Sequence, residues 1–127
     1  MIVIDTSAII AIALQEPQAE ACKAAITQAD DIIMSAGTLA EILIVAERRS
    51  IAENVARLLD RLGAEVIPIT AASAKQSAES YARWGKGIHP AGLNMGDCFA
   101  YTLARERNWP LLFVGQDFSR ADVTSVL

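Results

Sequence analysis

Four carboxylates stand where a carboxylate is costly, and their settings point to metal-assisted chemistry. Asp5 ends the apolar run Ile2-Val3-Ile4, and Glu41 lies inside Leu39-Ala40-Glu41-Ile42-Leu43-Ile44-Val45-Ala46, a stretch apolar nearly all round. Asp97 follows Asn94 by one helical turn and leads into Cys98-Phe99-Ala100-Tyr101, while Asp117 follows Leu111 to Val114 and the turn Gly115-Gln116. Burying an unpaired carboxylate costs several kcal/mol, so such acids are expected to pair with cations or to hold metal. No lysine or arginine lies within several positions of Asp5 or Glu41. A divalent cation is therefore the simpler partner. Oxygen ligands, with a single histidine in the chain, favour Mg²⁺ or Mn²⁺ over Zn²⁺.

Each acid also has a structural explanation when taken alone. Asp5 before Thr6-Ser7 fits a helix cap. Asp97 fits a first-turn acid favoured by the helix dipole, and Asp117 fits a turn former. Glu41 fits only a buried ion pair, because an acid in mid-helix has no capping role. The joint pattern, three acids at strand or helix starts and one in a buried helix, is stronger than any member.

The elements that must position these acids alternate between strand and helix. Ile2–Ile4 reads as a buried strand. Thr6 or Ser7 is expected to cap a short helix through Leu14, and Pro17 to open a second helix to about Ala29. Asp31 to Met34 reads as a strand, and Ser35 as the cap of a helix ending near Arg48-Arg49. Ser50-Ile51-Ala52-Glu53 has capping-box spacing, and Gly63 closes that helix. Val66 to Ile69 reads as a strand whose proline places it at an end or edge. Thr70 caps a helix to about Trp84, Gly85 to Gly92 forms the longest loop, and Asn94 caps a helix to Arg107. Leu111 to Val114 is a fourth strand, and a short fifth is expected near Val123 to Val126. This alternation predicts an α/β fold, a mainly parallel sheet of four to five strands flanked by helices. Such sheets bind ligands at the carboxyl ends of their strands.

The chain's 127 residues fit one domain, residues 1–127, and 53% apolar against 20% charged residues excludes a disordered tail or a coiled coil. A mean hydropathy of +0.31 is high. The apolar runs are nevertheless far shorter than the roughly 20 residues of a membrane span. The N-terminus lacks the basic region of a signal peptide, so a cytoplasmic location without membrane contact is expected. Two cysteines, Cys22 and Cys98, make no disulfide framework, and Cys98 reads as a reduced core thiol. His89 reads as an ordinary surface residue, Trp84 and Trp109 as core anchors, and Arg48-Arg49, Arg105 and Arg107 as helix-end charges.

Taken in order, these segments resemble the PIN-domain ribonucleases, specifically VapC-type toxins of bacterial type II toxin–antitoxin systems. Ile4-Asp5-Thr6-Ser7-Ala8-Ile9-Ile10-Ala11-Ile12 is similar to the first motif of that family, and Glu41 occupies the second. Leu93-Asn94-Met95-Gly96-Asp97-Cys98-Phe99-Ala100-Tyr101 is close to the third, and Leu111 to Phe118 resembles the fourth, whose acid is the more variable. Relatives often carry a second acid in a Thr-Asp pair; here Ala121-Asp122 leaves Asp122 as an alternative to the favoured Asp117.

The resemblance implies a PIN-like fold and hydrolysis of RNA by a Mg²⁺- or Mn²⁺-dependent endoribonuclease. Asp5, Glu41, Asp97 and Asp117 would be both the catalytic residues and the metal ligands. Thr6 and Ser7 hydroxyls would orient a ligand carboxylate or a metal-bound water. It also implies a homodimer and a cognate VapB-type antitoxin covering the metal site. The runs Ala8 to Leu14 and Ala36 to Ala46 carry apolar surface in excess of what so small a core buries, consistent with an interface. The rival reading is a catalytically inactive PIN-fold binding subunit. A haloacid-dehalogenase-type phosphatase needs a second Asp where Ser7 stands, and a receiver domain needs an acidic cluster and a late lysine that are missing.

The net charge of −4 argues against a broad basic surface for nucleic acid. With the four acids assigned to a metal site, the other eleven of the fifteen acids balance the eleven lysines and arginines. The grip on RNA is then expected to be local and metal-led, with weak intrinsic affinity.

Overall fold

The computed structural model describes residues 1–127. A parallel sheet of four strands runs in the order β3-β2-β1-β4, formed by β1 (Ile2–Ile4), β2 (Ile32–Ser35), β3 (Glu65–Ile67) and β4 (Leu111–Leu112). Val3 pairs with Ile33 on one side and Leu111 on the other, which makes β1 a central strand. Helices α1 (Thr6–Ala13), α2 (Ala19–Gln28), α3 (Ala36–Arg48), α4 (Ala52–Leu62), α5 (Ala71–Trp84) and α6 (Met95–Arg107) cover the sheet.

Strand pleat divides the core in two. Val3, Ile33 and Leu111 point to one face and pack with Trp84, Leu93, Ala100, Tyr101, Leu103 and Phe118. Ile2, Ile4, Met34 and Leu112 point to the other and pack with Ile9, Ile12, Cys22, Ile42 and Val55. Strands buried on both faces must be apolar throughout, which is why Ile2-Val3-Ile4 shows no alternation. Phe118 is 2% exposed and packs its ring 5.1 Å from that of Phe113. Phe118→Ala is expected to cost about 3–5 kcal/mol in urea unfolding, the range for emptying a buried aromatic site. A loss below about 1 kcal/mol would mean that the turn after β4 is not anchored by this ring.

Local signals account for most helix ends. Ser35 accepts from Gly37 N–H at 3.1 Å, and Thr70 and Ser73 form a capping box. Asn94 Oδ1 accepts from Asp97 N–H at 2.8 Å, and Gly63 closes α4 in the left-handed region at φ 62°. Both cysteines are buried and reduced.

Several expectations are corrected. Asp5, and neither Thr6 nor Ser7, is the α1 cap, and α2 begins at Ala19, two residues beyond Pro17. The capping box at Ser50 does not form. Ser50 instead takes φ 57° to end α3, with Ile51 N–H donating to Ala46 O at 2.9 Å, and a residue spent on closing one helix cannot cap the next. The fourth strand is only Leu111–Leu112, and the expected fifth is a single bridge from Ser125 to Leu111. The apolar excess expected on Ala36 to Ala46 is present, since Thr38, Ile42 and Ala46 face the core while Leu43 and Ile44 are 50% and 58% exposed, but the excess expected on Ala8 to Leu14 is not, because none of those residues is exposed. No helix is long and apolar enough to cross a membrane.

Candidate active site

Asp5, Glu41, Asp97 and Asp117 lie toward the carboxyl edge of the sheet, and separate elements bring them there. Asp5 follows β1, its backbone N–H donating to Leu112 O at 3.0 Å. Its Oδ2 accepts from Ser7 N–H at 3.0 Å and from the Ser7 hydroxyl at 2.6 Å. Ser7 Oγ in turn accepts from Val114 N–H at 3.0 Å, so one hydroxyl ties the end of β1 to the end of β4. Asp5 Oδ1 is buried without any hydrogen-bond partner.

Glu41 reaches the edge from α3, half-buried, and its Oε1 accepts from the Thr6 hydroxyl at 2.6 Å. Asp97 enters from the first turn of α6, where its Oδ2 accepts from Asn94 N–H at 3.0 Å. Asp117 is exposed on the turn after β4. Asp5, Asp117 and Glu41 each lie near enough to Asp97 for their charges to help raise its carboxyl, which sets the three acids around Asp97.

Asp122 takes another path. Its Oδ1 accepts from the Tyr101 hydroxyl, and its Oδ2 pairs with Arg105 at 3.7 Å. The same Tyr101 hydroxyl accepts from Trp84 Nε1–H at 2.9 Å, which fixes the C-terminal segment to α5 and α6, away from the acids.

Burial dominates the electrostatics. It pushes the Asp97 carboxyl up to about 7; the Asn94 N–H works against the rise, and repulsion from Asp5, Asp117 and Glu41 adds to it. Burial likewise pushes Asp5 up to about 6, opposed by the Ser7 hydrogen bonds and assisted by Glu41. The ion pairs in the protein are Lys23 with Glu20 and Arg105 with Asp122, so no protein cation relieves any of the four acids. A hard divalent cation fits this setting: oxygen donors only, an orphaned buried Asp5 Oδ1, and mutual repulsion in need of positive charge. No three of the side chains form a ready-made cage.

Other residues fall outside this cluster. His89 is not a simple surface residue, because its Nδ1 accepts from Ala91 N–H at 2.9 Å and its ring stands edge-on to Trp84 at 4.6 Å. Arg83 lies over the Trp84 ring and Arg107 over that of Trp109. Sequence reading missed Gly96, whose Cα faces the Glu41 carboxylate; the available signal was a helix-disfavouring residue directly before Asp97.

Residues 2–123 match the PIN domain family. Ribonuclease VapC30 of Mycobacterium tuberculosis is 42% identical over 129 residues, spanning 98% of this chain and 97% of the relative. The solved structure of Mycobacterium tuberculosis VapC20, described as a sarcin–ricin loop cleaving toxin, superposes with a TM-score of 0.80 at 19% identity, covering 98% of this chain and 97% of that one. A toxin–antitoxin complex from Klebsiella pneumoniae gives a TM-score of 0.71 at 18% identity, covering 100% and 98%. A parallel sheet with its acids gathered at the carboxyl edge, a match over nearly all residues and full-length relatives at this identity together establish the membership: the chain belongs to the PIN-domain family, in its VapC group.

Proposed function

We propose that the protein is a divalent-metal-dependent endoribonuclease toxin of the VapC kind, working as one PIN-like domain in the cytoplasm, with Mg²⁺ or Mn²⁺ as its cation. The observation that carries this is the gathering of Asp5, Glu41, Asp97 and Asp117 at one sheet edge with no protein cation to balance them. A bound cation supplies the positive charge that polarises a phosphodiester and makes water an effective nucleophile at neutral pH.

The protein's own groups do the rest. Asp5 would hold the cation through its unpartnered Oδ1, and Ser7, bonded to Oδ2, fixes the orientation of the carboxylate. Glu41 is held by Thr6, and Asp97 is held by the Asn94 N–H. One of these acids, or a water they orient, would serve as the general base. Asp117, on an exposed turn, would be the fourth acid to hold the cation. RNA, a polyanion, is drawn to the site only once its negative charge is offset, so intrinsic affinity is weak.

A VapB-type antitoxin is the proposed inhibitor, a reading supported by the likeness to the Klebsiella toxin–antitoxin complex. A homodimer is the proposed assembly, supported by the exposed Leu43 and Ile44 on α3.

The test is cleavage of RNA by the purified protein with Mg²⁺ or Mn²⁺, beside Asp5→Asn, Glu41→Gln and Asp97→Asn. Cleavage is expected only for the wild type and only with metal. Cleavage that survives EDTA, or survives all three substitutions, would sink the mechanism. Expression is expected to arrest growth, with relief by the co-expressed antitoxin. Ser7→Ala is expected to lower activity about 10–100-fold, as loss of a group orienting a ligand does. It is also expected to cost about 1–3 kcal/mol by leaving Val114 N–H unpaired. Wild-type rates together with wild-type urea midpoints would show the hydroxyl to be idle.

A further inference from the structure

We infer that Gly96 is a positioning residue for Glu41: the side chain it lacks leaves the space at the start of α6 in which the Glu41 carboxylate lies beside Asp97. A Cβ at position 96 would stand 2.3 Å from Glu41 Oε2, 2.5 Å from Cδ and 2.6 Å from Oε1, closer than non-bonded atoms approach. The Thr6 hydroxyl holds the same carboxylate from α1 at 2.6 Å, so Glu41 is gripped between two helices. Glycine is disfavoured inside a helix, and Gly96 is not in a left-handed conformation that would demand it, which leaves space as its reason.

The contact between α3 and α6 is built reciprocally. Gly37 of α3 receives the Phe99 ring of α6, where a Cβ would meet Cδ2 at 2.4 Å, and Gly96 of α6 receives Glu41 of α3. The two collisions differ in kind. Phe99 packs between helices, whereas the Glu41 carboxylate is the far end of a flexible, half-buried chain that can swing into solvent. A methyl at position 96 therefore displaces the acid and leaves the fold standing.

This inference rests on the metal reading above, and its test separates the two. Mn²⁺ binding by calorimetry, thermal melting and RNA cleavage are compared for wild type, Gly96→Ala, Glu41→Ala and the double variant. Gly96→Ala is expected to weaken Mn²⁺ binding about 10–100-fold, with cleavage falling in parallel. In the Glu41→Ala background the methyl occupies vacated space, so it is expected to weaken Mn²⁺ binding no further and not to lower the melting temperature. Equal losses in both backgrounds, or a Gly96→Ala protein that binds and cleaves as wild type, would overturn the assignment. Should Gly96→Ala fail to fold, a double variant melting at or above Glu41→Ala supports the contact, and one that also fails to fold overturns it. A wild type that binds no Mn²⁺ would remove the metal reading, while the melting comparison would still decide whether Gly96 and Glu41 share this space.

Discussion

Asp97→Asn is expected to abolish RNA cleavage and at the same time to raise the melting temperature of the metal-free protein at pH 8. The two effects have one cause. Asp97 is 6% exposed, and its carboxyl is pushed up to about 7 by burial and by three neighbouring acids, so ionising it at pH 8 works against the fold. Each pH unit of such a rise corresponds to about 1.4 kcal/mol, which makes the relief several kcal/mol as an upper figure. Asparagine keeps an oxygen for the Asn94 N–H, so the α6 cap survives the change. The same substitution removes a charge that the proposed cation needs, and cleavage is expected to fall by about 100-fold or more. Purified protein is assayed on RNA with Mg²⁺ and melted in EDTA. A variant that cleaves at near wild-type rates, or that melts below wild type, contradicts the assignment.

Acidification is expected to stabilise the metal-free protein, the reverse of the usual behaviour of native carboxylates. Asp5 and Asp97 have folded-state values of about 6 and about 7, both above the value of 3.8 for a free carboxyl. The folded protein therefore holds these protons more tightly than the unfolded chain does. Their stabilising contribution is complete below about pH 4 and is lost as pH rises through 6 and 7. In EDTA, the melting temperature contributed by these groups should be higher at pH 5 than at pH 8 by several degrees. Mg²⁺ or Mn²⁺ should narrow this gap by binding the ionised acids at pH 8, adding about 2.7 kcal/mol at a concentration 100 times the dissociation constant. The protective effect of the cation should fade below pH 6, where protons compete for the same oxygens. A melting profile that is identical with and without metal, or that falls on acidification in EDTA and in Asp97→Asn alike, would show that these carboxyls are not strained.

How far the sequence reaches can be seen at individual residues. The apolar run before Asp5, the caps at Ser35, Thr70 and Asn94, and the stop at Gly63 were all legible, because each rests on contacts within a few residues. Ser50 was misread because two local motifs competed for it, and the closing turn of α3 prevailed. His89 was misread because its neighbours, Ala91 N–H and the Trp84 ring, are chosen by the path of the loop. The excess apolar surface of Ala36 to Ala46 was legible as well, and the structure places it at Leu43 and Ile44, on a face of α3 with no counterpart within the chain.

By itself the sequence determined that acids stand at the ends of apolar strands and the starts of helices, since hydrogen-bonding periods and capping act over one turn or one strand. It also determined that too few basic residues lie near Asp5 and Glu41 to pair them locally. Only the tertiary structure decided which acids meet. Asp5, Glu41, Asp97 and Asp117 come from four separate elements, and the strand order β3-β2-β1-β4 and the packing of α3 on α6 bring their charges within reach of one another. The same packing turned Asp122 toward Tyr101 and Arg105, although it lies only five residues beyond Asp117. The physical reason is range: backbone propensity fixes where a carboxylate leaves its strand or helix, whereas the company it keeps is set by non-local burial.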